Sequence, residues 1–589
     1  MRAVPQRWVI AESDLQAASA LAREAHLPLV VAELLLARGV TDAAQAFAFL
    51  NPEIAHLHDP NLMLGMAAAV DRLERAIAAE EPVLLYGDYD VDGTTAVVLL
   101  KTAIEMLGGG VHFHVPHRLR EGYGLQSSVL EAAYAEGVRL VITVDTGMRA
   151  FAEAATARRL GLDLIITDHH LLEAHDAVPN ALAILNPNQP GCPYPEKFLC
   201  GAAIALKLAQ ALLERRDPAR TREKTLPSFL KMAAIATIAD AVPLRDENRT
   251  IAALGLRELR RPVGPGLRAL FAVAQLDPAA KPLTGYDVGF RLAPRINAAG
   301  RMDVASEVIE LFATRDTNRA NELAQKLERL NRERRDVEAA ALTAIDARLQ
   351  TDTDFIDDRL LVVDGGGWHR GVIGILASRV VDRTAKPAIV VSVEDGVAHG
   401  SGRSVDGFPL LEAIEPCADL FTRFGGHAFA IGFAMPAENL PALKQRLRAH
   451  AAERLADREP ERLLQIHAEL PLDRITTTLA AALRKLEPYG HGNPEPIFVA
   501  RNVRLLTAPR IMKNCHIRLE LSRDSQPANG SRPPSTALRA VGWNLAAQST
   551  QLGLQQGSTV DIAYRIRENL HPDFGGIEAE IVGMMQSLI

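Results

Sequence analysis

Cysteine is scarce: there are four in 589 residues. Cys192, Cys200, Cys417 and Cys515 are scattered and form no CxxC pair. That argues against a disulfide framework and against a structural zinc finger, and it points to a reducing, cytoplasmic setting. Long hydrophobic runs are also missing. No apolar stretch approaches the ~20 residues of a membrane-spanning helix, so no membrane partner is expected. In the opening MRAVPQRWVIAESD a charge or a proline interrupts each apolar stretch, so no secretory signal is read there. Neither sign of charge dominates, with 65 basic against 72 acidic residues and a net charge of −7. This balance argues against a generally basic nucleic-acid binder but leaves room for a local basic channel. Apolar material is not lacking. At 48% hydrophobic and 23% charged, the chain can bury real cores and is not disordered. Its length suggests three to five domains at roughly 100–200 residues each.

Residues 1–58 read as an Ala/Leu-rich helical packing segment without evident chemistry, with a cap at Thr41-Asp42 before AAQAFAFL. From 59 to 304, strand and helix patterns alternate. PVLLYGDYD (82–90), VHFHVP (111–116), RLVITVD (139–145) and LDLIITD (162–168) predict strands, and GMAAAVDRLERAIAAE (65–80) and TAVVLLKTAIEMLG (95–108) predict helices. Apolar strands with helices between them indicate a parallel sheet covered on both faces. In such sheets ligands bind beyond the carboxyl ends of the strands. Residues 305–350 contain neither Gly nor Pro and predict one long helix bridging two lobes. A second α/β lobe is expected over 351–458, where RLLVVDGGGWHRG restarts the strand–helix–strand pattern. Over 459–589, short β-branched segments predict a small all-β barrel or sandwich, with SQPANGSRPPS (525–535) as a surface loop.

The chemistry concentrates in acids at strand ends. GDYDVDG (87–93) places Asp88, Asp90 and Asp92 at alternate positions where an apolar strand gives way to a turn. Crowded carboxylates repel one another unless protons or a cation neutralise them, so a metal site is the economical explanation. TVDTG (143–147) adds Asp145, TDHH (167–170) adds Asp168, His169 and His170, and ATIADAVPL (236–244) adds Asp240. One Asp at a strand end is usually a helix cap or turn former. Acids at several element ends, together with a His pair, outweigh that explanation. Carboxylate and imidazole without thiolate suit Mn2+ or Mg2+ better than structural zinc. Five or more ligands exceed the needs of one ion with open positions. Two ions ~3.5–4 Å apart, sharing a bridging carboxylate, would use them all. Such a pair can clamp a phosphate, activate water and stabilise the leaving oxygen. His112, His114 and His117 read as ordinary polar or packed residues.

GDYDVDGTTA, TVDTG, TDHH and IADAVPL resemble the four motifs of the DHH phosphoesterase superfamily, and GGHAFAIGF (425–433) resembles the signature of the DHH-associated domain. RINAAGRM (295–302), WHRGVIGILASR (368–379) and LEPYGHGNPEP (486–496) narrow the resemblance to that superfamily's single-strand-specific DNA exonucleases. The resemblance implies two α/β lobes joined by a long helix, plus a C-terminal oligonucleotide-binding (OB-like) barrel. It implies 5′-to-3′ degradation of single-stranded DNA to mononucleotides, with two Mn2+ or Mg2+ ions, in recombination and repair. Asp88 would bind the first ion and Asp90 the second. Asp145 would bridge both, and His169 and Asp240 would complete the ligands of the second ion. His170 would touch substrate phosphate or stand behind a ligand, Asp168 would orient a histidine, and Asp92 would be a ligand or a turn former. Tyr86 stands where several members carry His.

In the second lobe the resemblance implies that His427 polarises the scissile phosphate, with Gly425 and Gly426 permitting close backbone approach. Ser401 and Arg403 of GSGRS would form another phosphate cradle. Arg118, Arg295, Asn297 and Arg301 are candidates for the 5′ end and the backbone, since guanidinium groups grip phosphate in a forked geometry. Tyr123 and Trp368 could stack on bases or simply pack. Two lobes closed by the bridging helix would admit one strand and exclude a duplex. The implied partners are single-stranded DNA, a single-strand DNA-binding protein and a RecQ-type helicase. A monomer in the bacterial cytoplasm is expected. Two competing readings are a phosphatase of small nucleotides or pyrophosphate and a non-catalytic DNA-binding scaffold. The C-terminal β segment weighs against the first, and the retained acids weigh against the second.

Overall fold

The computed structural model describes residues 5–118, 121–122, 124–172, 177–261, 263–302, 305–352, 357–456, 458–523, 537–569 and 575–587. Tyr123 and the loop 525–535 lie outside the described residues. The architecture is the expected one: two α/β lobes, a long helix and a C-terminal β domain. No helix among the described residues is long and apolar enough to cross a membrane.

The amino-terminal segment is not wholly helical. Gln6–Ile10 forms strand β1. The helices Leu15–Glu24, Leu29–Leu36 and Ala43–Leu50 follow, and the Asp42 carboxylate caps the last by accepting the Gln45 N–H at 2.8 Å. QRWVI carries no useful periodicity on its own, because its pairing partner lies at the far end of the chain. Nor is the segment a separate unit. Leu21, Val31, Leu34 and Leu35 share one core with Leu519, Ile562 and Tyr564 of the C-terminal domain.

The first lobe is built on β2 (Val83–Gly87), β3 (Val111–His114), β4 (Leu140–Val144), β5 (Asp163–Thr167) and β6 (Ala183–Leu185). They form a parallel five-stranded sheet in the order β3-β2-β4-β5-β6. From β2 the chain passes through the helix Val91–Met106 to β3 on one side, then returns to β4 on the other. That reversal opens a crevice beyond the carboxyl ends of β2 and β4, the usual ligand position of such sheets. Strands β2 and β4 are buried throughout, so their apolar, β-branched sequence has no polar face.

The bridging helix is Thr317–Thr351, 35 residues, and begins later than the composition suggests. Ser306–Ala313 is a separate helix. The break lies where Asp316 caps the new helix by accepting the Asn318 N–H at 2.8 Å, a local bond that competes with helix continuation. The long helix reaches the second lobe through Ala341, Ile345 and Leu349, which pack with Leu361, Val363 and Leu376.

In the second lobe the strands are β7 (Leu361–Gly366), β8 (Ala388–Glu394), β9 (Val397–Arg403), β10 (Arg423–His427) and β11 (Ala430–Pro436). Their order is β10-β11-β9-β8-β7, with only β7 and β8 parallel. β12 (Arg462–Ile466) then pairs parallel with β1. The C-terminal domain is a seven-stranded sheet whose long central hairpin is Thr559–Asn569 against Gly576–Gln586.

Candidate metal centre and nucleic-acid interface

The acids meet in the crevice beyond β2 and β4. Ligand atoms of Asp88, Asp90 and Asp145 lie within 4.8 Å of one another, as do those of Asp92, His169 and Asp240, and those of Asp145, His169 and His170. Five elements deliver these groups, with His169 and His170 following β5. Asp88 follows β2, and Asp90 caps the helix Val91–Met106 by accepting the Gly93 N–H at 3.1 Å. Asp145 follows β4 in the left-handed region at φ 61°, unusual for a residue with a Cβ and a place where backbone strain is held by its surroundings. Asp240 caps the C-terminus of the helix Leu226–Ala239. His169 Nε2 stands 3.1 Å from Asp145 Oδ1, 3.8 Å from Asp92 Oδ2 and 3.9 Å from Asp240 Oδ2.

Two further acids are occupied with backbone. The oxygens of Asp92 accept the N–H groups of Gly201 (2.6 Å) and Ala202 (2.8 Å), so this carboxylate caps the helix Gly201–Glu214 from underneath the site. Asp168 accepts the backbone N–H of His169 at 2.8 Å and of Met148 at 2.9 Å, and its Oδ1 lies 2.7 Å from His170 Nδ1. The His170 ring is thereby oriented, and any contact it makes with substrate runs through Nε2. Asn297 accepts the Val91 N–H at 3.0 Å, which engages it with the acidic motif's own backbone.

The electrostatics are those of a cation site. Burial pushes Asp88 and Asp145 well above the ordinary carboxylate range, and neighbouring acids push further: Asp90 on Asp88, and Asp92, Asp90 and Asp88 on Asp145. Burial and then Asp92 raise Asp90, and the same two causes push Asp240 up to about 9. Asp88 Oδ1 is buried with no hydrogen-bond partner, a costly arrangement unless something positive fills it. Burial pulls His169 down and keeps it in the neutral form that ligates metal. Burial also acts to lower His170, but Asp168 outweighs it and holds the ring up at about 9. Hard oxygen donors plus one or two imidazoles fit Mn2+ or Mg2+.

Facing these acids is a group of arginines. Arg118 lies over the Tyr89 ring, 5.0 Å from its centroid. Arg301 donates to the Gly371 carbonyl at 3.0 Å, a contact between the lobes. Burial lowers Arg301 to about 10, with Arg118 and Arg334 adding repulsion. Burial and then the charge of Arg118 lower Arg403 in the second lobe. Arg295 is placed differently, with its Nε 2.6 Å from Glu328 Oε2 of the long helix and Nη1 on the Arg291 carbonyl at 2.5 Å. Trp368 packs against Gly365, where a Cβ would lie 2.3 Å from the indole. Ser401 sits on β9 beside Arg403, whose Nη1 is 3.3 Å from the serine hydroxyl. His427 is exposed on β10, and its Nδ1 accepts the Phe429 N–H at 3.3 Å. Gly426, at φ 143°, could carry no Cβ, which would lie 2.2 Å from the Ala430 carbonyl oxygen.

Two large cavities adjoin the crevice. One, of about 1040 Å3, is lined by Arg295, Arg301, Arg332, Arg335 and Arg379. The other, of about 1170 Å3, lies against the C-terminal domain, with Tyr286, Phe290, Trp543, Arg257 and Arg260 in its wall. Ala239 and Phe290 line both, and Ala239 immediately precedes Asp240. Tyr286 and Phe290 stack at 4.8 Å and are 65% and 66% exposed, so their faces are available to a ligand. Neither these two nor Trp543 belongs to a motif recognisable in the sequence. The only signal was aromatic residues interleaved with arginine, spread over two domains.

Comparison with known proteins follows the same layout. The description "DHH family, N-terminal domain" matches residues 82–237, "DHHA1 domain" matches 357–453 and "RecJ OB domain" matches 466–578. The chain is similar to the single-stranded-DNA-specific exonuclease RecJ of Bacillus subtilis, 37% identical over 566 residues, covering 95% of this chain and 68% of that protein. With its Escherichia coli counterpart it is 34% identical over 494 residues, covering 80% and 83%. Among solved structures it is similar to RecJ of Thermus thermophilus in complex with Mn2+. The TM-score is 0.82 at 28% identity, covering 99% of this chain and 80% of that one. The Mg2+ complex of the same protein gives a TM-score of 0.74 at 27% identity, covering 99% and 79%.

Proposed function

Because the chain belongs to the RecJ family of single-stranded-DNA-specific exonucleases, we propose that the crevice beyond β2 and β4 removes nucleotides one at a time from the 5′ end of single-stranded DNA. The enzyme is a metal-dependent nuclease of the DHH type, using Mn2+ or Mg2+. The observation that carries the site assignment is the convergence of Asp88, Asp90, Asp145, His169 and Asp240 from separate element ends.

In this reading Asp88 would hold one ion and Asp90 the other. Asp145 would be shared between the two ions, and His169 and Asp240 would complete the set that holds the second. When bound, such a pair activates water and neutralises charge on the phosphate. The remaining roles belong to the chain's own residues. Asp92 and Asn297 hold the acidic motif against two helices. Asp168 fixes His170 so that its Nε2 meets a phosphate oxygen. His427, beside Gly425 and Gly426, approaches the scissile phosphate from the opposite lobe. Arg118, Arg301 and Arg403 together carry more positive charge than one internal phosphodiester needs, which favours a doubly charged 5′-phosphate there. Tyr286, Phe290 and Trp543 offer faces for unstacked bases, and a duplex has none to give.

We extend the reading to a monomer working in the bacterial cytoplasm with a single-strand DNA-binding protein and a RecQ-type helicase. Family membership supports the partners, and four free cysteines are compatible with a reducing compartment. Asp145→Ala is expected to abolish Mn2+-dependent digestion of a 5′-labelled single strand while the protein stays folded by circular dichroism. Undiminished digestion would refute the site assignment.

A further inference from the structure

The register of the second lobe's sheet places a cationic cluster two side-chain steps from the phosphate cradle. Arg403 pairs with Ala430, which pairs with His427. Ser401 pairs with Gly432, which pairs with Gly425. His399 pairs with Ala434, which pairs with Arg423. Residues paired across a sheet share a face, and the face alternates along each strand. His399, Ser401 and Arg403 of β9 therefore line the same side as Arg423, Gly425 and His427 of β10. The opposite side is core: Ala398 is buried, and the Phe433 ring fills the space a Cβ at Gly400 would need. On the cleft side between the ends, the middle row is Ser401, Gly432 and Gly425, so the serine hydroxyl is the one side-chain group on that floor. A Cβ at Gly425 would meet nothing within 4 Å, and one at Gly432 would meet only a carbonyl oxygen at 4.0 Å.

At the far end of that floor three groups converge. Arg370, from the WHRG turn after β7, has its Nη1 3.0 Å from His399 Nε2. Its Nε lies 3.4 Å from Glu394, which offsets part of its charge. Burial, then Arg370 and Arg423, lower His399, so the neutral imidazole accepts from Arg370 and fixes the guanidinium. Arg423 is exposed, and its side chain has no hydrogen-bond or ion-pair partner among the described residues. Its charge therefore stabilises no ion pair of the fold on this face. The spacing matters: four residues along β9 separate His399 from Arg403, or about 14 Å at ~3.4 Å per residue.

We propose that Arg370, His399 and Arg423 form a second phosphate subsite, at the far end of a glycine-floored track from Arg403 and His427. This rests on the reading of the cleft as a nucleic-acid site. The ligand chemistry is a phosphate ester, supplied either by an internal linkage of the bound strand or by the nucleotide just released.

The test uses the full-length enzyme with Mn2+ and compares wild type, Arg423→Gln, Arg423→Lys and His399→Gln. Digestion of a long single strand by wild type is the control, and its absence would count against the nuclease reading, not against this subsite. If the subsite holds an internal linkage, Arg423→Gln raises KM for the strand about fivefold or more while kcat changes less. It also lowers the salt dependence of strand binding by about 0.7 in log–log slope, with Arg423→Lys restoring most of both. If it holds the released nucleotide, Arg423→Gln instead weakens inhibition by deoxynucleoside monophosphate and leaves strand KM alone. Either result supports phosphate recognition. Unchanged KM, salt slope and nucleotide inhibition in both Arg423→Gln and His399→Gln would overturn it.

Discussion

At Gly201 the helix Gly201–Glu214 comes so close to the metal centre that a Cβ there would lie 2.6 Å from the Asp145 Cβ. The backbone N–H of the same residue is held by Asp92 at 2.6 Å. Gly201→Ala is therefore expected to displace Asp145 and weaken Mn2+ binding about tenfold or more, the usual scale for disturbing the residues behind a metal ligand. Calorimetric titration with Mn2+ checks this, and wild-type affinity in the variant would contradict it. The candidate ligands were legible in the sequence because each motif is local: an apolar run, then an acid. The support around them was not. Asp92 meets its helix, and Asn297 meets Val91, only after segments distant in the chain have folded together. Arg295 shows the converse. A motif context singled it out for phosphate, yet it lies against Glu328.

Among the elements, the LEPYGHGNPEP segment has a role its sequence does not disclose. Buried Arg249 donates at 2.9 Å to the carbonyls of Phe49, Lys485, Leu486 and Glu487, and its guanidinium stacks 3.8 Å over the Phe49 ring. Arg38 donates to Asn493 Oδ1 at 2.6 Å and to the Pro494 carbonyl at 2.7 Å. The Leu244 N–H donates to the His491 carbonyl at 2.7 Å, four residues after Asp240. The segment thus ties the amino-terminal helices, the first lobe and the C-terminal domain together just behind a candidate metal ligand. Arg249→Met leaves several buried carbonyls unsatisfied and is expected to cost about 3 kcal/mol or more in urea unfolding. A loss under about 1 kcal/mol would show that the carbonyls find other donors. Strand β1 and the late start of the long helix escaped the sequence for related reasons. One needs a partner from the other end of the chain, and the other is decided by a single capping aspartate.

For the whole molecule, the acids couple metal binding to stability. Asp240 is raised from the ordinary 3.8 to about 9, and Asp88, Asp90 and Asp145 are raised in the same direction. Between those values the metal-free folded chain binds more protons at these groups than the unfolded chain does. Their contribution to stability therefore falls as pH rises, and that of Asp240 is lost above about 9. A divalent cation takes the place of the protons. The gain in Tm on replacing EDTA with Mn2+ is expected to grow from about pH 5 to about pH 8. A gain that is constant or shrinking over that range would contradict the coupling. The two-lobed architecture was readable in advance because strand, helix and β textures succeed one another along the chain. The merging of both chain ends into one core was not, since no local pattern records it.

The central claim is that acids from separate element ends hold a pair of divalent ions. Anomalous diffraction at the manganese edge, from crystals of this protein equilibrated with Mn2+, tests it most directly. Two peaks about 3.5–4 Å apart are expected, both within reach of Asp145 and flanked by Asp88, Asp90, His169 and Asp240. A single peak away from Asp145, or no peak in the crevice, would contradict it.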